Sequence, residues 1–329
     1  MSRGMCPEPA SPRHHLRNFY IHRHQKHRVC HRDFRKMGSL KDPSKSSIEP
    51  YSYQYFNVTF PSEYVAHVEI NRPEKLNAFI EVMWLNLGAI FTRLSHDPNV
   101  RAVLLTGAGP RAFTAGLDVQ AASQSGVLGD SSDGSKDDFA RKSLYVKRHI
   151  EEFQACVTAI EKCEKPVVAA MHGHTYGLGL DIALCADMRV AAATTAFSIK
   201  EVDIGIAADI GVLTRLPKVT GHASFAKEIA LTARPFTPAE ALNAGLLSYV
   251  LPTKEEAVAK GLELCKLVAT KSPVAVVGTK ELVNYSRDRP TEEGLRYTAI
   301  WNMGMVQTDD VKRALLSGLQ KRKPTFEKL

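Results

Sequence analysis

The chain has 329 residues, 44% of them hydrophobic and 24% charged, an ordinary globular composition with enough apolar material for one large domain or two smaller ones. Its formal net charge is +8, but residues 1–41 alone hold ten Lys and Arg against only Glu8 and Asp33. The rest of the chain is therefore near neutral, and a basic surface for nucleic acid is not required of it.

No apolar run reaches the roughly 18 residues needed to cross a bilayer, and no signal-peptide core follows Met1, so a soluble intracellular protein is expected. Six scattered cysteines (Cys6, Cys30, Cys156, Cys163, Cys185, Cys265) contain no C-x-x-C pair and read as free thiols, buried where they fall in helical segments, in a reducing compartment.

Residues 1–50 are rich in His, Arg, Lys, Ser and Pro and poor in aliphatic side chains, so they cannot bury a core and are expected to be disordered. Six histidines lie there (His14, His15, His22, His24, His27, His31), but no Cys or carboxylate completes a closed ligand set, and no metal is expected. An Arg-rich, acid-poor start has the make-up of a mitochondrial presequence, and Met37 offers an alternative start.

Order is expected from Tyr51. YQYFNVTF and YVAHVEI flank Pro61-Ser62-Glu63 as a two-stranded hairpin, and NRPEKLNAF is a Pro-containing connection. Met83, Leu87, Ile90 and Leu94 mark one face of an amphipathic helix. RAVLLT (Arg101–Thr106) is a short buried strand that runs into a Gly-Ala-Gly-Pro turn.

FTAGLDVQAAS (113–123) reads as strand end, tight turn and helix start, with Asp118 as N-cap. A Gly-, Ser- and Asp-rich mobile loop is expected over 124–138. Val146, Ile150, Phe153, Val157 and Ile160 then mark a long helix that Pro166 stops before the apolar strand Val167–Met171. Beyond Asp209 the pattern is almost wholly helical, over about 209–217, 222–231, 238–244, 254–270, 273–286, 291–307 and 308–320. This succession predicts an α/β core with a helical C-terminal region.

Asp181, Glu201 and Asp209 stand among Ala, Ile, Val and Gly rather than among surface residues. Apolar surroundings disfavour ionisation and raise a carboxyl pKa, which suits such groups to proton transfer. Two segments share the form strand, Gly-containing turn, helix start: Phe113–Asp118 and Gly173–Asp181. Unpaired backbone N–H groups at two converging turns would form an oxyanion hole. Neither segment matches the phosphate-loop pattern G-x-x-x-x-G-K-[ST].

The ordered series NRPEKLNAF, GAGPRAFTAGLD, GHTYGLGLDIALCADMR, FSIKEVDIGIAADIG, RLPKVTG, A-x-x-A-G-L and KSPVAV resembles the enoyl-CoA hydratase/isomerase (crotonase) superfamily across residues 51–329. Asp181, Glu201 and Asp209 together, with the C-terminal YSRD, WNM and MVQTDD segments, are similar to the Δ3,5-Δ2,4-dienoyl-CoA isomerase branch.

The resemblance implies a ββα-spiral core over residues 51–250, with helices from residue 251 to 329 that assemble a trimer or a dimer of trimers. It implies fatty acyl-CoA substrates, no cofactor beyond the coenzyme A of the substrate itself, and an oxyanion hole made by the N–H groups of Leu117 and Leu178. Asp209 is taken as the base at the carbon next to the thioester and Glu201 as the acid at the far end of the diene. Asp181 would support the pair. Lys75, Ala115, Gly116 and Gly177 would contact substrate.

One position departs from the pattern: Leu178 stands where the family usually has Gly, so its β-carbon is expected to narrow the pocket. His174 and Tyr176 are also bulkier than usual. A 2-enoyl-CoA hydratase is the first rival, with Asp181 and Glu201 around one water. Against it stand Asp209, where hydratases of the family typically carry a small residue, and the short Asp181 in place of their glutamate. A non-catalytic RNA-binding homologue is the second rival, but no aromatic nucleic-acid motif accompanies the basic tail. The ending Glu327-Lys328-Leu329 resembles a peroxisomal S-K-L signal with Glu for the small residue. A peroxisomal location is expected, with the mitochondrion as the alternative.

Overall fold

The computed structural model describes residues 51–123 and 138–329; the tail expected to be disordered and most of the loop expected to be mobile lie outside the described residues. Strands β1 (Ser52–Tyr53), β2 (Phe56–Ser62) and β3 (Val65–Ile70) form an antiparallel meander, with the predicted hairpin between β2 and β3. Helix α1 (Glu81–Ser95) follows, and all four residues of its predicted apolar stripe are buried.

From there the chain winds in strand–strand–helix turns. The first holds β4 (Ala102–Gly107), β5 (Ala112–Thr114), α2 (Val119–Ser123) and α3 (Phe139–Lys162). The second holds β6 (Val167–Met171), β7 (His174–Tyr176) and α4 (Leu178–Cys185). The third holds β8 (Met188–Ala192), β9 (Ala196–Ser198), a 3-10 turn (Glu201–Ile204), α5 (Val212–Val219), α6 (Ala223–Thr232) and α7 (Pro238–Asn243). Strand β10 (Tyr249–Leu251) closes the spiral, and α8 (Lys254–Ala269), α9 (Pro273–Ser286), α10 (Thr291–Met305) and α11 (Asp309–Leu319) complete the described chain.

The first strand of every turn joins one sheet and the second joins another. The large sheet runs β1-β2-β3-β4-β6-β8-β10 and the small one β5-β7-β9. Pairing among β4, β6, β8 and β10 is parallel, and the central strands β4 and β6, buried along their whole length, read as near-continuous apolar runs. Helix α1 packs on one face, where Trp84 stacks on Phe153 of α3 with ring centroids 4.7 Å apart. Helix α8 covers the other face through Ala257, Cys265 and Ala269, against Leu104, Val168 and Val190. Thus α8, although it follows residue 251, lies on the sheet of the spiral.

Strands β8, β9 and β10 are not legible in the periodicity, because each has five residues or fewer and lies between stronger helical signals. All seven helices expected after Asp209 are present, each ending within a few residues of its predicted bounds. Helix α5 keeps Pro217 inside it.

Candidate active site

The small sheet explains how distant segments meet. In parallel register Thr114 of β5 pairs with Thr175 of β7, and Tyr176 of β7 pairs with Ser198 of β9. The chain leaving all three strands therefore emerges side by side, at the carboxyl end where open parallel sheets bind ligands. Those exits carry Leu117, Leu178 and Glu201.

The first exit is a tight turn. Gly116 has φ +96, and a β-carbon there would lie 2.8 Å from the carbonyl oxygen of Tyr176 and 3.5 Å from the Leu178 nitrogen, so only glycine lets the two turns approach this closely. Leu117 forms a parallel bridge with Phe79. The bridge is made by its neighbours: Phe79 N–H donates to Gly116 O at 2.8 Å and Asp118 N–H to Phe79 O at 2.9 Å. Alternation along an extended segment turns the N–H of Leu117 the other way. Asp118 caps α2 as predicted, accepting from Ala121 N at 3.1 Å.

The second exit is Gly177, with φ 48 and ψ −117, a conformation open only to glycine, which serves as N-cap of α4. Leu178 is the first residue of that helix, so its N–H has no intrahelical acceptor. The expectation that Leu178 would narrow the pocket is corrected here. Its side chain is 4% exposed and packs in the main core, and its backbone is not in the left-handed region. The glycine requirement falls one residue earlier, at Gly177.

Asp181 lies one turn into α4 and is buried. Its Oδ1 accepts from Val212 N, the first residue of α5, at 2.6 Å. Burial, and then the neighbouring charge of Glu201, push its pKa up to about 7 against the pull of that N–H and of Arg215. Glu201 is partly buried, its Oε2 has no hydrogen-bond partner, and burial raises its pKa, with Asp209 adding to the rise. Glu201 Oε1 lies 2.9 Å from where a β-carbon on Gly177 would stand. Asp209 sits on the loop before α5, exposed at the rim in the single chain, yet enough protein surrounds its carboxyl that its pKa also rises, against the lowering pull of its own N–H and His149. Gln154 of α3 donates to the Asp209 carbonyl at 2.5 Å.

The predicted carboxylates therefore belong to one electrostatic cluster beside the two turns. Ala115 is half-buried, its N–H donating to Leu76 O at 2.9 Å, while Gly116 and Gly177 are buried. Lys75 is exposed in a 3-10 turn, Pro73–Lys75. His174 and Tyr176 are half-buried on β7 with rings 4.9 Å apart. No group of His, Cys, Asp and Glu able to hold a metal occurs among the described residues. A cavity of about 590 Å³ lies elsewhere, between α9, α5 and the start of β8, and contains none of the three carboxylates.

Sequence reasoning passed over Asn77 and the Arg72–Asp118 ion pair, which sit behind Leu117. It also passed over Val212, whose role lies in a backbone N–H and leaves no mark in residue type.

With this geometry in place, residues 61–328 match the family model for enoyl-CoA hydratase/isomerase. The chain is 41% identical over 282 residues to the human mitochondrial Delta(3,5)-Delta(2,4)-dienoyl-CoA isomerase, covering 85% of this chain and 84% of that one. It is likewise 41% identical over 265 residues to the peroxisomal Delta(3,5)-Delta(2,4)-dienoyl-CoA isomerase of Arabidopsis thaliana, covering 80% and 93%. Among solved structures it resembles a putative enoyl-CoA hydratase from Streptomyces coelicolor, with a TM-score of 0.74 at 27% identity over 87% of this chain and 99% of that one.

Proposed function

The chain belongs to the enoyl-CoA hydratase/isomerase family, and from that premise we propose that it isomerises 3,5-dienoyl-CoA thioesters to 2,4-dienoyl-CoA in the oxidation of unsaturated fatty acids. The observation that carries this reading is the set of three carboxyls with raised pKa beside the two turns that present the N–H groups of Leu117 and Leu178.

The N–H groups of Leu117 and Leu178 receive the thioester oxygen and stabilise the charge that develops on it. Glu201 stands beside Gly177, the residue that precedes the second donor, and this closeness supports a reading in which its carboxylate meets the thioester end of the substrate. Glu201 is therefore the base that removes a proton from the carbon next to the thioester, reversing the roles expected from the sequence. The electron pair moves through the conjugated chain, and Asp209 protonates the far carbon.

One proton is lost and one gained, and the resting state returns when the proton on Glu201 exchanges to Asp209 through solvent. Asp181, its pKa pushed up to about 7, carries only part of a negative charge at neutral pH and spares Glu201 a full second adjacent anion. Both double bonds move without net oxidation, so acid, base and oxyanion donors suffice, and coenzyme A enters as part of the substrate. Lys75, Ala115, Gly116 and Gly177 line the approach of the thioester in this reading.

The C-terminal helices carry the assembly we propose, a trimer or a dimer of trimers. Met303, Leu315 and Leu319 of α10 and α11 are 71%, 67% and 83% exposed, an apolar face of the kind that subunit contacts cover. Light scattering on the purified protein checks it. Similar relatives bear mitochondrial or peroxisomal names. For this chain we propose the peroxisome, on its E-K-L ending. Import of a reporter carrying that ending, with and without Leu329, tests the assignment.

The deciding assay follows 3,5-octadienoyl-CoA in the ultraviolet for the conjugated 2,4-dienoyl thioester, with 2-enoyl-CoA hydration in parallel. Isomerisation by wild type, lost in Glu201→Gln and Asp209→Asn, is the expected result. Hydration alone, untouched by Asp209→Asn, overturns it.

A further inference from the structure

Behind Leu117 lies a polar cluster that the reaction does not consume. Asn77 is fully buried and left-handed, with φ +57. Its Nδ2 donates to both Ala108 O and Ala112 O at 2.9 Å, and its Oδ1 accepts from Arg72 N at 2.9 Å, so both N–H donors and the oxygen are engaged. Its own carbonyl accepts from Thr114 Oγ1 at 2.8 Å, and that hydroxyl oxygen in turn accepts from Gly116 N at 3.0 Å.

Two residues on, Phe79 grips Gly116 and Asp118, one on each side of Leu117. The Arg72 guanidinium crosses this bridge, its Nη1 donating to Ala78 O at 2.7 Å and to Asp118 Oδ2 at 2.9 Å. Both partners of that ion pair are mostly buried, with side chains 12% and 14% exposed.

A buried ion pair is a weak stabiliser, because desolvation offsets most of its attraction, and a buried Asn in a strained backbone region costs energy as well. What these groups do supply is geometry. They hold residue 78 to residue 118 and both ends of the 108–112 turn to residue 77, leaving the segment between Gly116 and Asp118 no freedom to rotate.

We infer that Asn77 and the Arg72–Asp118 pair are positioning residues for the first oxyanion donor, fixing the direction of the Leu117 N–H. The inference rests on the isomerase reading above. Stability alone would be served by apolar residues of similar size, whereas a donor aimed at a developing charge must be held to a fraction of an ångström.

The test uses Asp118→Asn, which removes the charge of the pair and keeps the shape, and Asn77→Asp, which removes both donations to the turn. Each is assayed for kcat and KM, and each binds [1-13C]octanoyl-CoA, a saturated thioester, for an infrared measurement of its carbonyl stretch. The expected result is a loss in kcat of about tenfold or more with KM within about threefold, and a carbonyl band displaced toward its free-solution position.

A merely structural role lowers the amount of folded enzyme without moving the band of the folded fraction. A wild-type band in both variants therefore overturns the inference, whatever happens to the rate. If Asn77→Asp does not fold, the band in Asp118→Asn decides. A wild-type enzyme that leaves the carbonyl band unshifted on binding, or that fails to isomerise, removes the isomerase reading itself, an outcome distinct from the first.

Discussion

The Glu201 carboxylate is packed against Gly177: a β-carbon on residue 177 would stand 2.9 Å from Glu201 Oε1. The carboxylate thus rests against the turn whose next N–H, on Leu178, is the proposed second oxyanion donor. A base in this place meets the carbon next to the thioester, because that carbon is covalently one bond from the carbonyl the donor holds. In the proposed reaction the far carboxyl, Asp209, then serves the remote carbon.

Deuterium exchange separates these roles. In D₂O, Asp209→Asn is expected to exchange the hydrogens next to the thioester of a 3,5-dienoyl-CoA while isomerising at least about a hundredfold more slowly. Glu201→Gln is expected to lose exchange and isomerisation together. Mass spectrometry of recovered substrate reads both, and exchange surviving in Glu201→Gln but not in Asp209→Asn would restore the roles expected from the sequence.

Gly177→Ala is expected to be costly twice. The backbone conformation at 177 excludes a β-carbon, which costs about 1–3 kcal/mol in stability, and the added carbon strikes the Glu201 carboxylate. Thermal unfolding and kcat should both fall. A stable, fully active variant would mean that Glu201 does not need its position.

Leu178→Gly, which restores the residue usual in the family, is expected to bring no gain in rate. Leu178 is buried in the core, so its removal leaves a cavity and costs about 2–5 kcal/mol. Denaturant unfolding measures the loss. A rise in kcat would show that the side chain reaches the pocket after all.

Asp181 supplies a pH test. Its pKa is raised from 3.8 in the unfolded chain to about 7 in the fold, by burial and by the charge of Glu201. A raised folded pKa favours the protonated folded state, so this group's contribution is full below about pH 4 and is lost as pH rises through about 7. Asp181→Asn keeps an oxygen for Val212 N–H without the charge. The variant is expected to gain stability relative to wild type as pH rises from 4 to 8, reaching on the order of 2–4 kcal/mol. Unfolding curves across that range read the difference, and a constant offset would show that Asp181 is not the titrating group.

Much of the fold is legible in the order of the residues. The stripe of α1, the hairpin of β2 and β3, and the seven C-terminal helices follow from periodicity, because a face buried along its length imposes its own spacing on the residues that fill it. The carboxylates are legible as residue types out of keeping with their neighbours. Short strands such as β9, with three residues, impose no period and stay hidden.

What the chain determined by itself is therefore which groups are the candidates for the chemistry: Asp181, Glu201, Asp209 and the glycines of two turns. Only the tertiary structure decided which of them meet and what each faces. Parallel register in the small sheet sets Leu117, Leu178 and Glu201 at one edge, and the close approach at Gly177 brings the Glu201 carboxylate against the second turn. It also turned Leu178 into the core and tied Asn77 to the 108–112 turn and Arg72 to Asp118, beside Leu117. These are relations between residues tens of positions apart, made by backbone N–H groups and close packing, and neither leaves a local trace in the order of side chains.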